Sequence, residues 1–114
     1  MHRRSVIAAA LVAAAFSFPL LQMNAAAQDV AAGKRKAAAC QTCHGLDGIA
    51  KLPDAPNLAA QPAAYLEREM RAYRSGTRRN EVMSFAAKPL SDDDIRNLAA
   101  YYSAIQIEVK SVPQ

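Results

Sequence analysis

Cys40-Gln41-Thr42-Cys43-His44 places two thiols three residues apart with an imidazole directly behind them, in a 114-residue chain that has no other cysteine. Two cysteines cannot build the multi-bridge framework of a small disulfide scaffold, nor a four-thiolate zinc or iron–sulfur site. A thiol–disulfide oxidoreductase would carry its C-x-x-C in a strand-rich domain, and no strand pattern precedes these residues. A zinc knuckle needs more soft ligands than two thiols and one imidazole. A bridge between Cys40 and Cys43 would close a loop too small to stabilise the chain much. What remains is covalent capture of a haem: two thiols at this spacing reach the vinyl groups along one edge of the ring. His44 can then turn its imidazole to the iron from one face. One haem c, held through Cys40 and Cys43, is therefore the expected cofactor, with His44 as an iron ligand. A plate of that size also gives a short chain something to pack around.

The N-terminus suits such a cofactor. Met1-His2-Arg3-Arg4-Ser5 leads into an uncharged, mostly apolar run from Val6 to Leu21, and Ala25-Ala26-Ala27 follows. A basic start, a short apolar segment and a small-residue site make a secretory signal peptide. The run of 16 residues, interrupted by Pro19, is short of the roughly 20 needed to span a bilayer. Residues 1–27 are thus expected to be cleaved, leaving 28–114 as one domain with no membrane span, exported to the periplasm. A covalent cofactor fits export, because a dissociated one would be lost. Cleavage removes Arg3 and Arg4 and no acidic group, leaving 12 basic against 10 acidic side chains. No basic stripe interleaved with aromatics remains to bind nucleic acid.

Three main helices are predicted. From Asp29 to about Gln41 the chain is alanine-rich, with Asp29 suited to a helix N-terminus. Gly45 to Ala60 holds two glycines and two prolines and reads as a loop. Pro62 opens the second helix, Tyr65, Leu66, Met70 and Tyr73 line one side of it, and Gly76 ends it. Thr77 to Leu90 reads as mostly irregular. Ser91 caps the third helix with Asp92, Asp93 and Asp94 in its first turn, and Ser91-x-x-Asp94 resembles a capping box. Ile95, Leu98, Ala99, Tyr102 and Ile105 supply its apolar stripe. Ile105, Ile107 and Val109 alternate with polar residues as a strand would, but no partner strand exists, so a helix end or extended tail is expected.

With the signal gone, His44 is the only histidine, which excludes a second imidazole on the iron. Met70 falls on the apolar side of a helix, where packing explains it. Met83 lies 39 residues after His44 in the segment read as irregular, where a loop can carry a thioether across the plate. Met83 is the expected distal ligand; the competing reading has it filling the pocket beside an open iron. Arg68, Arg71, Arg74, Arg78 and Arg79 form a basic run that reads either as a solvated face or as a docking patch for an acidic partner.

Several blocks together resemble a known family. Gly33, Cys40–His44 with Gly45, Pro56-Asn57-Leu58, Tyr65-Leu66, Arg78-x-Asn80-x-x-Met83 and Leu90-Ser91-Asp92-x-Asp94-Ile95 through Tyr101-Tyr102 are similar to a bacterial class I c-type cytochrome. The likeness is to small single-haem members that resemble one half of a two-haem cytochrome c-four, over about Gly33 to Ile105. The resemblance implies an all-α cytochrome c fold, its three main helices around one covalent haem, the first and last crossing near it. It implies that Gly33 permits that crossing beside Tyr101. It implies that the Pro56 carbonyl accepts a hydrogen bond from the ligand histidine, which would fix the tautomer. It also suggests a pocket hydrogen-bonding role for Asn80.

The expected function is one-electron transfer by a periplasmic monomer between redox partner proteins, without a catalytic residue and so not an enzyme. Two alternatives stand beside it: a haem subunit or electron acceptor of a larger periplasmic dehydrogenase or oxidase, and a gas-binding sensor or small peroxidase with Met83 off the iron.

Overall fold

A computed structural model describes residues 28–114; the expected signal segment, residues 1–27, lies outside them. Helix α1, Val30–Ala37, begins where Asp29 accepts a hydrogen bond from the Ala32 amide at 2.9 Å. It ends on Lys34, Arg35 and Lys36, whose charges favour the negative end of the helix dipole. The helix expected to run to about Gln41 instead breaks into a turn at Ala38, Ala39 and Cys40, and a single turn, α2, spans Gln41–His44. The break redirects the chain just where the thiols and the imidazole have to face a common cofactor.

Helix α3, Ala63–Ser75, follows Pro62, which sits at the capping position, one residue ahead of the first helical one. It stops at Gly76, whose φ of 83° suits a residue with no Cβ. Helix α4, Glu81–Ala87, overturns the expectation of an irregular Thr77–Leu90 segment and carries Met83. Helix α5, Asp92–Ala104, starts in a complete capping box between Ser91 and Asp94. Among the described residues there is no strand: the alternating residues after Ile105 form the extended tail, with Ile107 and Val109 exposed.

The frame is the crossing of α1 with α5, the most extensive helix contact, and α3 packs on α5 and α4. Gly33 sets the first of these. A Cβ there would lie 2.0 Å from the Asn97 carbonyl oxygen and 2.8 Å from the Tyr101 Cβ, so the crossing that the family likeness implied is present. Ala37 of α1, Leu66 of α3 and Leu98, Ala99 and Tyr102 of α5 form the buried cluster. Asp29 adds a second tie, its amide donating to the Asn97 side chain at 2.9 Å.

Asp94 makes this frame sensitive to acid. The Ser91 amide, then the Lys36 ammonium at 2.9 Å, holds its carboxyl below the ordinary carboxylate range. A depressed folded value means the stabilisation is complete above the unfolded value, near pH 4, and is lost as pH falls through the folded one. Asp94→Asn is therefore expected to lower the urea midpoint clearly at about pH 6 and by less at about pH 2, with the difference shrinking as pH falls below the ordinary carboxylate range. A gap of equal size at both pH values would contradict the assignment.

Candidate functional site

The His44 imidazole is buried, 7% exposed, at the end of α2. Its Nδ1 lies 2.9 Å from the Pro56 carbonyl oxygen. A carbonyl only accepts, so Nδ1 carries the proton and Nε2 keeps its lone pair for a metal. The loop that brings Pro56 to this point is tied down along its length. Lys51 N–H donates to the Cys43 carbonyl at 2.8 Å, Leu58 N–H to the Gly48 carbonyl at 2.8 Å and Ala50 N–H to the Asn57 side chain at 2.7 Å.

Helix α5 holds the same loop from the other side. Tyr101 donates its hydroxyl to the Leu46 carbonyl at 2.6 Å and Tyr102 donates to the Gly45 carbonyl at 3.2 Å. Burial, then the neighbouring Cys40 and Tyr101, pushes the Tyr102 hydroxyl above its ordinary range, so it stays a donor. The α1–α5 crossing and the histidine loop are therefore one mechanical unit. Sequence patterning marked Tyr102 only as part of an apolar stripe and gave no role to Asn57; hydrogen bonds to backbone carbonyls leave no periodic signal.

A cavity of about 1180 Å³ opens beside this loop, above the roughly 300–1,000 Å³ usual for small-molecule pockets. Cys40, Cys43, His44, Pro56 and Met83, the residues singled out from the sequence, all line it. Leu66, Tyr73, Val82, Phe85 and Leu98 add broad apolar walls, and Met70 is there too. The residues fit a haem: a large apolar slot, two thiols and a correctly protonated imidazole on its wall, and sulfur available besides. Burial, then the charge of Cys43, raises the Cys40 thiol above its ordinary value against the opposing effect of Lys36. A thiol–disulfide catalyst has the opposite arrangement, a thiol with a lowered pKa.

Met83 sits in the first turn of α4, and the Asn80 side chain that caps this helix accepts from the Met83 amide at 2.9 Å. The Asn80 oxygen is thus engaged by a backbone partner, while the residue also lines the cavity as the suggested pocket role requires. The basic run is largely self-paired. Arg71 and Arg74 both reach Asp92 at 2.6 Å, and Arg74, then Arg71, holds that carboxyl below its ordinary range. Arg78 meets Glu69 at 2.6 Å and stacks over Tyr73, while Arg68 also contacts Glu69. This favours the solvated-face reading over a free docking patch.

A helical shell closed around a large apolar slot, with paired thiols and an oriented imidazole on its wall, defines a protein that holds haem covalently. The family model described as cytochrome c matches residues 30–105, and the chain belongs to that family. Its cofactor is haem c and its role is electron transfer. It is similar to cytochrome c-554(548) of Halomonas halodenitrificans, 47% identical over 81 residues, 68% of this chain and 98% of the relative. It is also similar to a thiosulfate dehydrogenase electron acceptor of Thiomonas intermedia, 42% identical over 85 residues, 73% of this chain and 39% of that one. Among solved structures, reduced cytochrome c4 from Pseudomonas stutzeri matches with a TM-score of 0.65 at 35% identity. That match covers 70% of this chain and 47% of the c4 chain, so the chain spans about half the length of a cytochrome c4.

Proposed function

We propose that residues 28–114 form a freely diffusing, monomeric one-electron carrier of the periplasm, exported by residues 1–27 and working between redox partner proteins rather than as an enzyme. Cys40 and Cys43 would hold the haem as thioethers, and His44 and Met83 would ligate its iron. The observation that carries this reading is the His44 Nδ1 to Pro56 carbonyl contact of 2.9 Å in a cavity that Met83 also lines. The haem, when bound, supplies an iron that alternates between ferrous and ferric. Pro56 fixes the imidazole orientation through the hydrogen bond and strengthens its donation to a metal. The Met83 thioether, a neutral sulfur, favours the ferrous state relative to a second imidazole. Two protein ligands leave no coordination position for a substrate, and little in the chain has to move when the charge changes.

The visible spectrum tests this. The mature protein is expected to be low-spin in both states, to show the ferric methionine–iron charge-transfer band, and to ignore carbon monoxide when reduced. Met83→Ala is expected to abolish the band and open the ferrous protein to carbon monoxide, while Met70→Leu keeps both properties. Loss of the band in Met70→Leu instead would move the ligand to α3. A high-spin wild-type protein that binds carbon monoxide would put the sensor or peroxidase reading first.

A second reading has a specific observation behind it: the relative from Thiomonas intermedia is named as an electron acceptor of thiosulfate dehydrogenase. Purification from the native host separates the two. A small single peak supports the carrier; elution with a dehydrogenase supports the dedicated acceptor.

A further inference from the structure

Helix α4 has seven residues, too few for a helix to persist on its own local propensity, since nucleation is costly and few turns follow to repay it. It has little hold on the protein core: Val82 and Phe85 turn to the cofactor cavity, and among its residues only Ala87 is buried. What fixes its start is a reciprocal pair of polar contacts. The Asn80 side-chain oxygen accepts from the Met83 amide at 2.9 Å, and the Asn80 amide in turn donates to the Ser84 hydroxyl at 3.3 Å. Backbone continuity adds the Ser84 amide donating to the Asn80 carbonyl at 2.8 Å. The cap therefore closes on the amide of the one residue in α4 that has a coordination role.

We propose that Asn80, with Ser84, is the positioning residue for Met83: it holds the backbone of that residue so that the thioether stays on the iron against competing ligands. This rests on Met83 being the distal ligand. The cap contributes by ordering the first turn of α4 before coordination. Without it, part of the ligand bond has to restrain that turn, and an external ligand meets a weaker competitor. An N-cap of this kind is worth roughly a fivefold shift in a local equilibrium. Any side chain that accepts from the third helical amide should serve, whereas alanine should not.

Imidazole binding to the ferric holoprotein reads this directly. Asn80→Ala is expected to raise the apparent affinity for imidazole roughly fivefold, with Asn80→Asp and Asn80→Ser close to wild type. In a Met83→Ala background, Asn80→Ala should change nothing further, because there is no thioether left to position. Should Asn80→Ala yield no holoprotein, Ser84→Ala applies the same test from the other half of the pair and should shift affinity in the same direction. Unchanged affinity in the alanine variants, or an equal shift that persists without Met83, would overturn the proposal while leaving Met83 as ligand. If Met83→Ala by itself leaves the ferric spectrum and imidazole affinity as in wild type, the ligand assignment fails first and takes this inference with it.

Discussion

Gly33→Ala is expected to destabilise the holoprotein by about 3 kcal/mol or more, a loss near the top of the range for overpacking. The new methyl group would sit 2.0 Å from the Asn97 carbonyl oxygen and 2.7 Å from its carbonyl carbon, and both are backbone atoms of α5 that no rotamer change can move. Relief requires α1 and α5 to separate, along the largest helix contact in the fold. Damage would not stay there. Tyr101, whose Cβ also lies 2.8 Å from the added carbon, donates its hydroxyl to Leu46 two residues past His44. The histidine loop should therefore loosen with the crossing. Gly76→Ala is the control: nothing lies within 4 Å of its added Cβ, so only the positive φ is strained, at about 1–2 kcal/mol. Urea unfolding of both variants checks the ranking; a Gly33→Ala protein no less stable than Gly76→Ala would show that α1 can slide without cost.

The parts of the molecule that were readable from sequence are those whose signals are local. Asp29, Gly76 and the Ser91–Asp94 box each fix a helix end through bonds or dihedral angles within a few residues. Gly33 and Pro56 were readable only through likeness to a family, because their reasons lie far along the chain, at Asn97 and at His44. Helix α4 was missed for a different cause. A short helix against a protein core shows an apolar stripe and a polar face, but α4 turns Val82, Met83 and Phe85 to the cofactor cavity. Its pattern records a surface that is not polypeptide. Asn80, three residues ahead of Met83, was the available signal, since an asparagine accepting from the third amide is a common helix start. The break after Ala37 was hidden by alanine-rich sequence that would support either a turn or more helix.

Replacing both thiols, Cys40→Ser with Cys43→Ser, is expected to cost the protein its cooperative fold as well as its colour. The reason lies in what the described residues bury. Of the nine buried apolar residues, five are alanines, leaving Leu66, Ile95, Leu98 and Tyr102 as the only large ones. A domain of this size has little margin even with a full core, and small chains that lack one need a staple. Here the staple is the cofactor, and the walls of its cavity include large apolar residues that the protein core does not use: Tyr73, Val82 and Phe85. Without thioethers a haem would be kept by its iron ligands and burial alone, so its occupancy would depend on concentration and its stabilisation on mass action. On gel filtration the double variant should lose haem, and the far-UV helical signal and sigmoidal urea transition should disappear in the same fractions. Single replacements keep one covalent link, and with it the local concentration of haem, so they should stay folded and coloured at reduced stability. A haem-free double variant that still unfolds cooperatively within about 1 kcal/mol of the holoprotein would mean that the α1–α5 frame suffices by itself. The small buried set then could not be the reason why this chain binds its haem covalently, and retention of the cofactor would be the remaining one.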